Sequence, residues 1–297
     1  MTSLSDERYA FAALKRASVA KFYNAFDFFD WQEPIADDVY WMSPELVSLH
    51  GTEAWDQLTE SERHALSKWE FVNFCSVNMH GEKSLVAAVL ARLHTSAFQN
   101  STEYFHHFVD EENKHMWMFS KFCLVYGNKI YPDKSIRHNA LHNPATDDFL
   151  SFAKITIFEE IGDYYNRAMR HDERLPHNVR KLNDVHHLDE SRHLSMGHAL
   201  LTRLYDDMKS RVDDATLLAV ERYLKDYMIT GMAGFYNVAA YKDAGVADPY
   251  RLRRWAFEHP RRRELHRTIL SRILGFLVKK GIFRDDTLYQ GNQSTHG

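Results

Sequence analysis

Four glutamates interrupt apolar helical stripes in this chain, and no other feature narrows its fold so far. From about Glu62 to Ala97 the residues Cys75, Met79, Val86, Val89 and Leu93 recur at helical spacing, and Glu82 falls among them. From about Glu103 to Tyr126 the stripe of Phe105, Phe108, Met116, Phe119 and Cys123 takes in Glu112 and His115. A third helix, from a cap at Thr146 to about Arg170, sets Glu159 in the row Phe152, Ile155, Gly162. A fourth, from about Asn178 to Met208, turns Leu182, Leu194, Leu201 and Leu204 inward and carries Glu190 and His193. A carboxylate on a buried face is costly unless something neutralises it. Each of the four helices therefore asks for a counter-charge.

The spacing supplies one. Glu82 precedes Glu112 by 30 residues and Glu159 precedes Glu190 by 31, about the length of a helix, a turn and an antiparallel return to the same level. Glu-x-x-His occurs three times, as Glu103/His106, Glu112/His115 and Glu190/His193. With 18 His and as many Glu, about one match arises by chance, so phase must decide. Glu103 lies nine positions before Glu112, about 180° round the helix, and reads as a solvated decoy. One Glu from each of two helices plus Glu-x-x-His from each of the other two is the di-iron carboxylate arrangement. Carboxylates neutralise and bridge the iron ions, and imidazoles hold each one. His186, four residues before Glu190 and seven before His193, shares an arc of about 60° with them. The expected metal ligands are thus Glu82, Glu112, His115, Glu159, His186, Glu190 and His193, with no further catalytic residue singled out. Glu160 is the rival to Glu159, although its own row holds Ala153, Asp163, Tyr164 and Arg167; His187 is the rival to His186. His94, His107 and His198 read as surface or hydrogen-bonded groups.

Beyond the four helices, a fifth is expected from Asp213 or Asp214 to about Lys242, ended by Gly245 and Pro249, and a sixth from Pro260 to about Gly281. Only 7 Pro and 12 Gly in 297 residues leave room for such lengths. Residues 127 to 143 read as a crossover loop. The aromatic-rich pieces before residue 55, Phe22 to Trp31 and Tyr40-Trp41-Met42, read as packing against a bundle, and the last ten residues as disordered. The expected architecture is all-α, a ferritin-like four-helix bundle with additional helices. It is read as a single domain over 1–297: N-terminal packing region 1–55, metal-binding core 56–210, additional helices 211–285 and tail 286–297.

Composition excludes several other classes. A net charge of -4, with no basic run longer than Arg261 to Arg263, gives no electrostatic case for nucleic acid. Cys75 and Cys123 alone cannot build a disulfide framework or a cysteine zinc site and suit a reducing compartment. Met1 to Trp31 lacks the apolar core of a signal peptide, and no run approaches the roughly 18 apolar residues of a membrane span, so a soluble cytoplasmic protein is expected.

With these residues in view, the chain resembles the p-aminobenzoate N-oxygenase family, the AurF-like non-haem di-iron oxygenases. The likeness rests on Glu112-Asn-Lys-His115-Met-Trp-Met-Phe119, on Glu159 and on His186-His-Leu-Asp-Glu190-Ser-Arg-His193. It extends more loosely to Tyr40 through Thr52, and so covers roughly residues 38 to 240. His186 is its most specific part, because many di-iron oxygenases have only Glu-x-x-His on that helix. The 30 residues between Glu82 and Glu112 are a somewhat shorter gap than in one enzyme of that family. The resemblance implies two iron ions per chain, the same seven ligands, and O2 as co-substrate. It also implies oxidation of a small amine to a hydroxylamine, nitroso or nitro product, as in secondary metabolism, and an external electron donor, a ferredoxin or flavin reductase. A homodimer is the expected assembly, without nucleic acid or membrane. The alternatives are a di-iron hydroxylase or desaturase acting on C–H bonds and, behind it, an iron-binding protein of ferritin type.

Overall fold

Two of the long helices here begin at a side-chain cap. The computed structural model describes residues 4–133 and 143–289. Among the described residues every regular element is helical: α1 (Leu4–Ala20), the single turn α2 (Glu53–Asp56), α3 (Glu60–Leu90), α4 (Thr102–Phe122), α5 (Asp147–Met169), α6 (His177–Lys209), α7 (Asp214–Gly234), α8 (Val238–Asp243), α9 (Pro249–Glu258) and α10 (Pro260–Lys279). Thr59 opens α3 with a capping box, its hydroxyl accepting the Glu62 N–H while the Glu62 carboxylate accepts the Thr59 N–H. Asp213 caps α7 through the Thr216 N–H. At its end α4 widens into a π turn, Cys123–Gly127, closed by Asn128 in the left-handed conformation.

Helix α3 packs along α4, and α5 along α6; contacts of α3 with α5 and of α4 with α6 join the two hairpins. Around them, α1 lies on α4 and α6, α7 and α10 on α5, and α8 on α3. This is the all-α, ferritin-like four-helix core with additional helices that the sequence led us to expect. The aromatic N-terminal region does pack on the bundle: Trp41, Met42, Leu46, Val47 and Leu49 are buried, and the Phe11 ring stands 6.0 Å from Tyr104. No helix of the described residues is long and apolar enough to cross a membrane.

Three features differ from the sequence reading. Helix α3 stops at Leu90 rather than Ala97, because Arg92 turns back to donate to the Ala88 carbonyl and His94 takes a positive φ of 60°. The fifth helix breaks at Gly234; Asn237 starts α8, accepting the Ala239 N–H and donating to Asn73 Oδ1, which turns Phe235 and Tyr236 into the core. Helices α1 and α9 are additional to those the periodicity indicates. The expected tail disorder and most of the crossover loop fall on residues 290–297 and 134–142, outside the described residues.

His266 gives the fold a pH signature. It is fully buried, 2.7 Å from the Tyr236 hydroxyl on one side and from the Tyr289 hydroxyl on the other. Burial, with Arg262 and Arg263 nearby, lowers its pKa to about 3. Below the unfolded value of about 6.5 the unfolded chain takes up this proton and the folded chain does not, so stability is lost as pH falls. At pH 4.5 the loss is about 2–3 kcal/mol. Denaturant titrations of wild type and His266→Gln between pH 4.5 and 7 should show a correspondingly flatter pH profile in the variant.

Candidate metal centre

The four core helices bring the seven expected residues together, and none is more than 2% exposed. Their ligand atoms form three overlapping groups: Glu112, His115, Glu190 and His193; Glu82, His115 and His186; and Glu159, His186 and Glu190. Within each group the atoms lie within 4.8 Å of one another. His193 Nδ1 stands 2.8 Å from Glu112 Oε1 and 3.3 Å from Glu190 Oε2. His186 Nε2 stands 3.0 Å from Glu190 Oε1 and 3.3 Å from Glu82 Oε1. His115 Nδ1 is 3.4 Å from Glu190 Oε1 and 3.5 Å from Glu112 Oε2.

Proximity does not amount to hydrogen bonding here. Eight of the converging atoms have no hydrogen-bond partner: both carboxylate oxygens of Glu82 and of Glu112, one each of Glu159 and Glu190, His115 Nδ1 and His186 Nε2. Buried polar atoms are normally paired, and each orphan costs roughly 1–3 kcal/mol. Oxygens and imidazole nitrogens that aim at a common space rather than at each other are a donor set for hard or borderline cations, so the residues fit an iron pair.

The far side of each imidazole is held. His115 Nε2 pairs with Asp189 Oδ2 at 3.0 Å, and His193 Nε2 with Glu111 Oε2 at 2.9 Å. The arrangement is reciprocal, since the acid just before each motif glutamate fixes the motif histidine of the other helix. Arg192 donates to Glu111 at 2.6 Å and to Asp189, tying both acids together, and the Tyr23 hydroxyl donates to Asp189 at 3.1 Å. Asn166 lies 2.7 Å from His186 Nδ1, and its Oδ1 is unpaired. Turning the amide over makes Oδ1 the acceptor of Nδ1–H and leaves Nε2 a free lone pair facing Glu82 and Glu190. The sequence reading missed Glu111, Asp189, Arg192 and Asn166. A signal existed for two of them, because an acid precedes both Glu112 and Glu190 whereas Thr102 precedes the decoy Glu103.

Electrostatics record the crowding. Burial, reinforced by the charges of Glu190 and Glu112, raises the Glu159 carboxyl well above its usual range, and burial raises Glu82 to about 7 against the opposing pull of the His186 imidazole. Burial also works against the charge of Glu190, but His193 and His186 outweigh it and hold that carboxyl well below its usual range. Burial opposes a proton on His193 too, yet Glu190 and Glu112 prevail and raise it.

The rivals point elsewhere. Glu160 Oε2 accepts from Arg272 at 2.6 Å and Oε1 lies 3.1 Å from His198, while His187 Nδ1 meets Asp163 Oδ1 at 2.5 Å. Glu103 is exposed and pairs with Lys15, and its partner His106 rests against His94.

Among curated proteins none matches the chain. Solved structures with a similar fold include a variant of an R2-like ligand-binding oxidase with an aerobically reconstituted Mn/Fe cofactor. It is 19% identical, with 89% of this chain and 92% of that chain covered and a TM-score of 0.50. A second variant of that oxidase has 17% identity, coverages of 88% and 93%, and a TM-score of 0.49. The first likeness supports the fold and nothing finer. A family profile described as p-aminobenzoate N-oxygenase AurF matches residues 5–281, so the chain belongs to the AurF family of oxygen-dependent, non-haem di-iron oxygenases.

Proposed function

We propose that this protein uses O2 to N-oxygenate a small amine, and that Glu82, Glu112, His115, Glu159, His186, Glu190 and His193 hold two iron ions for that reaction. The observation that carries the reading is the set of eight orphaned, converging ligand atoms, with His186 as the third imidazole. The iron pair would supply reduction of O2 and transfer of one oxygen atom to the substrate nitrogen; everything else is work for the side chains. The four glutamates offset the charge of two ferrous ions. Asp189 and Glu111 orient His115 and His193, and Arg192 donates to both acids; His115 and Arg192 overcome burial and draw Asp189 down to about 2. The rings of Phe108, 4.5 Å from His193, and of Phe119, 4.9 Å from His186, cover the imidazoles and keep water away. We read the chain as one domain, acting with an external electron donor, and the expected homodimer stands as part of this proposal.

The test is direct. Metal analysis of the purified protein should find about two iron ions per chain, with manganese measured beside it. The reduced protein, given isotopically labelled O2 and a panel of arylamines, should place the label on nitrogen in a hydroxylamine, nitroso or nitro product. Label appearing only on carbon, or a desaturated product, would move the assignment to a C–H oxidase. Uptake of many iron ions per chain without product would move it to storage.

A further inference from the structure

The chain as a whole is acidic, but its charge is unevenly spread. Between Asp248 and Thr268 seven arginines stand against Asp248, Glu258 and Glu264, a surplus of four, so the remaining residues carry -8. Much of that charge faces outward: the Arg251 and Arg254 side chains on α9 are 84% and 79% exposed, paired on one side with Asp248 at 2.7 Å and Glu258 at 3.7 Å, and Arg261 and Arg267 on α10 are exposed. Tyr250 and Trp255 are large exposed aromatics on α9, and arginine with Tyr and Trp is the composition of interface cores. The surface is also stiff. Buried Arg262 donates to the carbonyls of Glu45, Leu46 and His50 and to the Tyr236 hydroxyl, which anchors α10 to the N-terminal region.

A row of rings leads inward from this face. Tyr289 lies under the guanidinium groups of Arg263 and Arg267, at 5.1 and 5.8 Å. Its hydroxyl is 2.7 Å from His266 Nδ1, and His266 Nε2 is 2.7 Å from the Tyr236 hydroxyl. Phe235, the adjacent residue, stacks 6.2 Å from Phe74; Phe74 is 6.1 Å from Phe119, and Phe119 is 4.9 Å from His186. Tyr236 and Phe235 are joined through the backbone, and every other step is a hydrogen bond or a ring pair with centroids no more than 6.2 Å apart, separations short enough for electron tunnelling.

We propose that the α9–α10 face docks an acidic one-electron carrier protein, of iron–sulfur or flavin type, which reduces the metal centre through this row of rings. The proposal rests on the oxygenase reading for its purpose, since an O2-reducing iron pair must be re-reduced. Each docked carrier is oxidised by one electron, and two dockings return two ferric ions to ferrous with no bond made or broken. Positive charge spread over a rigid face selects an acidic partner and speeds its encounter at low salt. Nucleic acid or an anionic membrane would use the charge but has no need of the rings.

The test compares the iron-loaded full chain with the double variant Arg254→Glu, Arg267→Glu and with a control of equal charge change elsewhere, Lys21→Glu, Lys209→Glu. Calorimetry measures binding of an acidic plant-type ferredoxin and of a flavodoxin, and anaerobic spectroscopy measures ferrous formation with each reduced carrier and with dithionite. The arginine variant should bind at least one carrier about 10-fold more weakly at low salt, be reduced by it about 10-fold more slowly with a flatter salt dependence, and react with dithionite as wild type does. The control should match wild type throughout. The proposal is overturned if neither carrier binds, if the arginine variant is reduced normally, if the control is slowed equally, or if the arginine variant loses only affinity for DNA or anionic vesicles. Carrier binding does not depend on iron. A protein that took up no iron but bound the carrier through these arginines would therefore sink the oxygenase reading and spare the docking surface, while labelled product with carrier binding indifferent to the arginines would do the reverse.

Discussion

Glu190→Gln is expected to abolish stable binding of the iron pair and with it O2-dependent turnover, while the helical fold persists. Glu190 belongs to two of the three ligand groups, approaches His115, His186 and His193, and has its carboxyl held well below the usual range. An amide of the same shape keeps the packing but offers one weak acceptor and no charge, so the remaining ligands must neutralise both ions alone. Iron content should fall from about two per chain to below one after gel filtration, and product formation by more than ~100-fold. Asp189→Asn is the graded comparison. It leaves every ligand in place and removes only the charge behind His115, so the centre should load with affinity weakened ~10–100-fold. Circular dichroism should be unchanged in both. Two retained ions in Glu190→Gln, with wild-type turnover, would remove Glu190 from the centre.

The second large effect is on packing. At Gly197 of α6 an added Cβ would lie 2.3 Å from Thr156 Oγ1 and 3.1 Å from Thr156 Cβ, so nothing but hydrogen fits where α5 and α6 cross. Thr156 is buried and short, with no far end that could swing aside. Gly197→Leu gains about 1 kcal/mol of helix propensity, but forcing the helices apart costs about 3 kcal/mol or more and wins. For a chain of this length the net loss should lower Tm by roughly 4–8 °C, read by calorimetry. The separation falls one turn from His193 on one helix and one turn from Glu159 on the other, so iron affinity should drop with it. Gly234→Ala is the control: nothing lies within 4 Å of its Cβ, and stability should hold or rise by up to about 1 kcal/mol. Equal stability of Gly197→Leu and wild type would refute the close crossing.

Much of the site was legible because helical phase is a local property. Glu82, Glu112 and Glu190 each sit on the apolar face of their helix, and an apolar stripe reports burial through its spacing alone. The same phase argument set Glu103 outside, where it lies exposed against Lys15. Phase could not by itself separate Glu159 from Glu160, since both are buried; the difference is that Arg272 and His198, from distant positions, meet only Glu160. Helix ends were less legible. The apolar period continues past Leu90 through Leu93 to Phe98, but the backbone turns at His94, and Phe98 packs against Phe105 and Phe152 instead of extending α3.

What the sequence determined by itself is therefore the class of the fold, the four helices that carry acids on their inner faces, and the spacing that lets two pairs of them meet at one level. Local periodicity and capping are enough for that, because each concerns residues within a few turns of one another. The tertiary structure alone decided which acid holds which imidazole. Glu111 and Asp189 look like ordinary helix acids until α4 and α6 face each other, when each reaches across to the other helix's histidine. It alone decided, too, that rings from distant segments line up between His186 and the arginines of α10. Contacts between residues a hundred positions apart leave no period in the chain, so only packing could bring them into view.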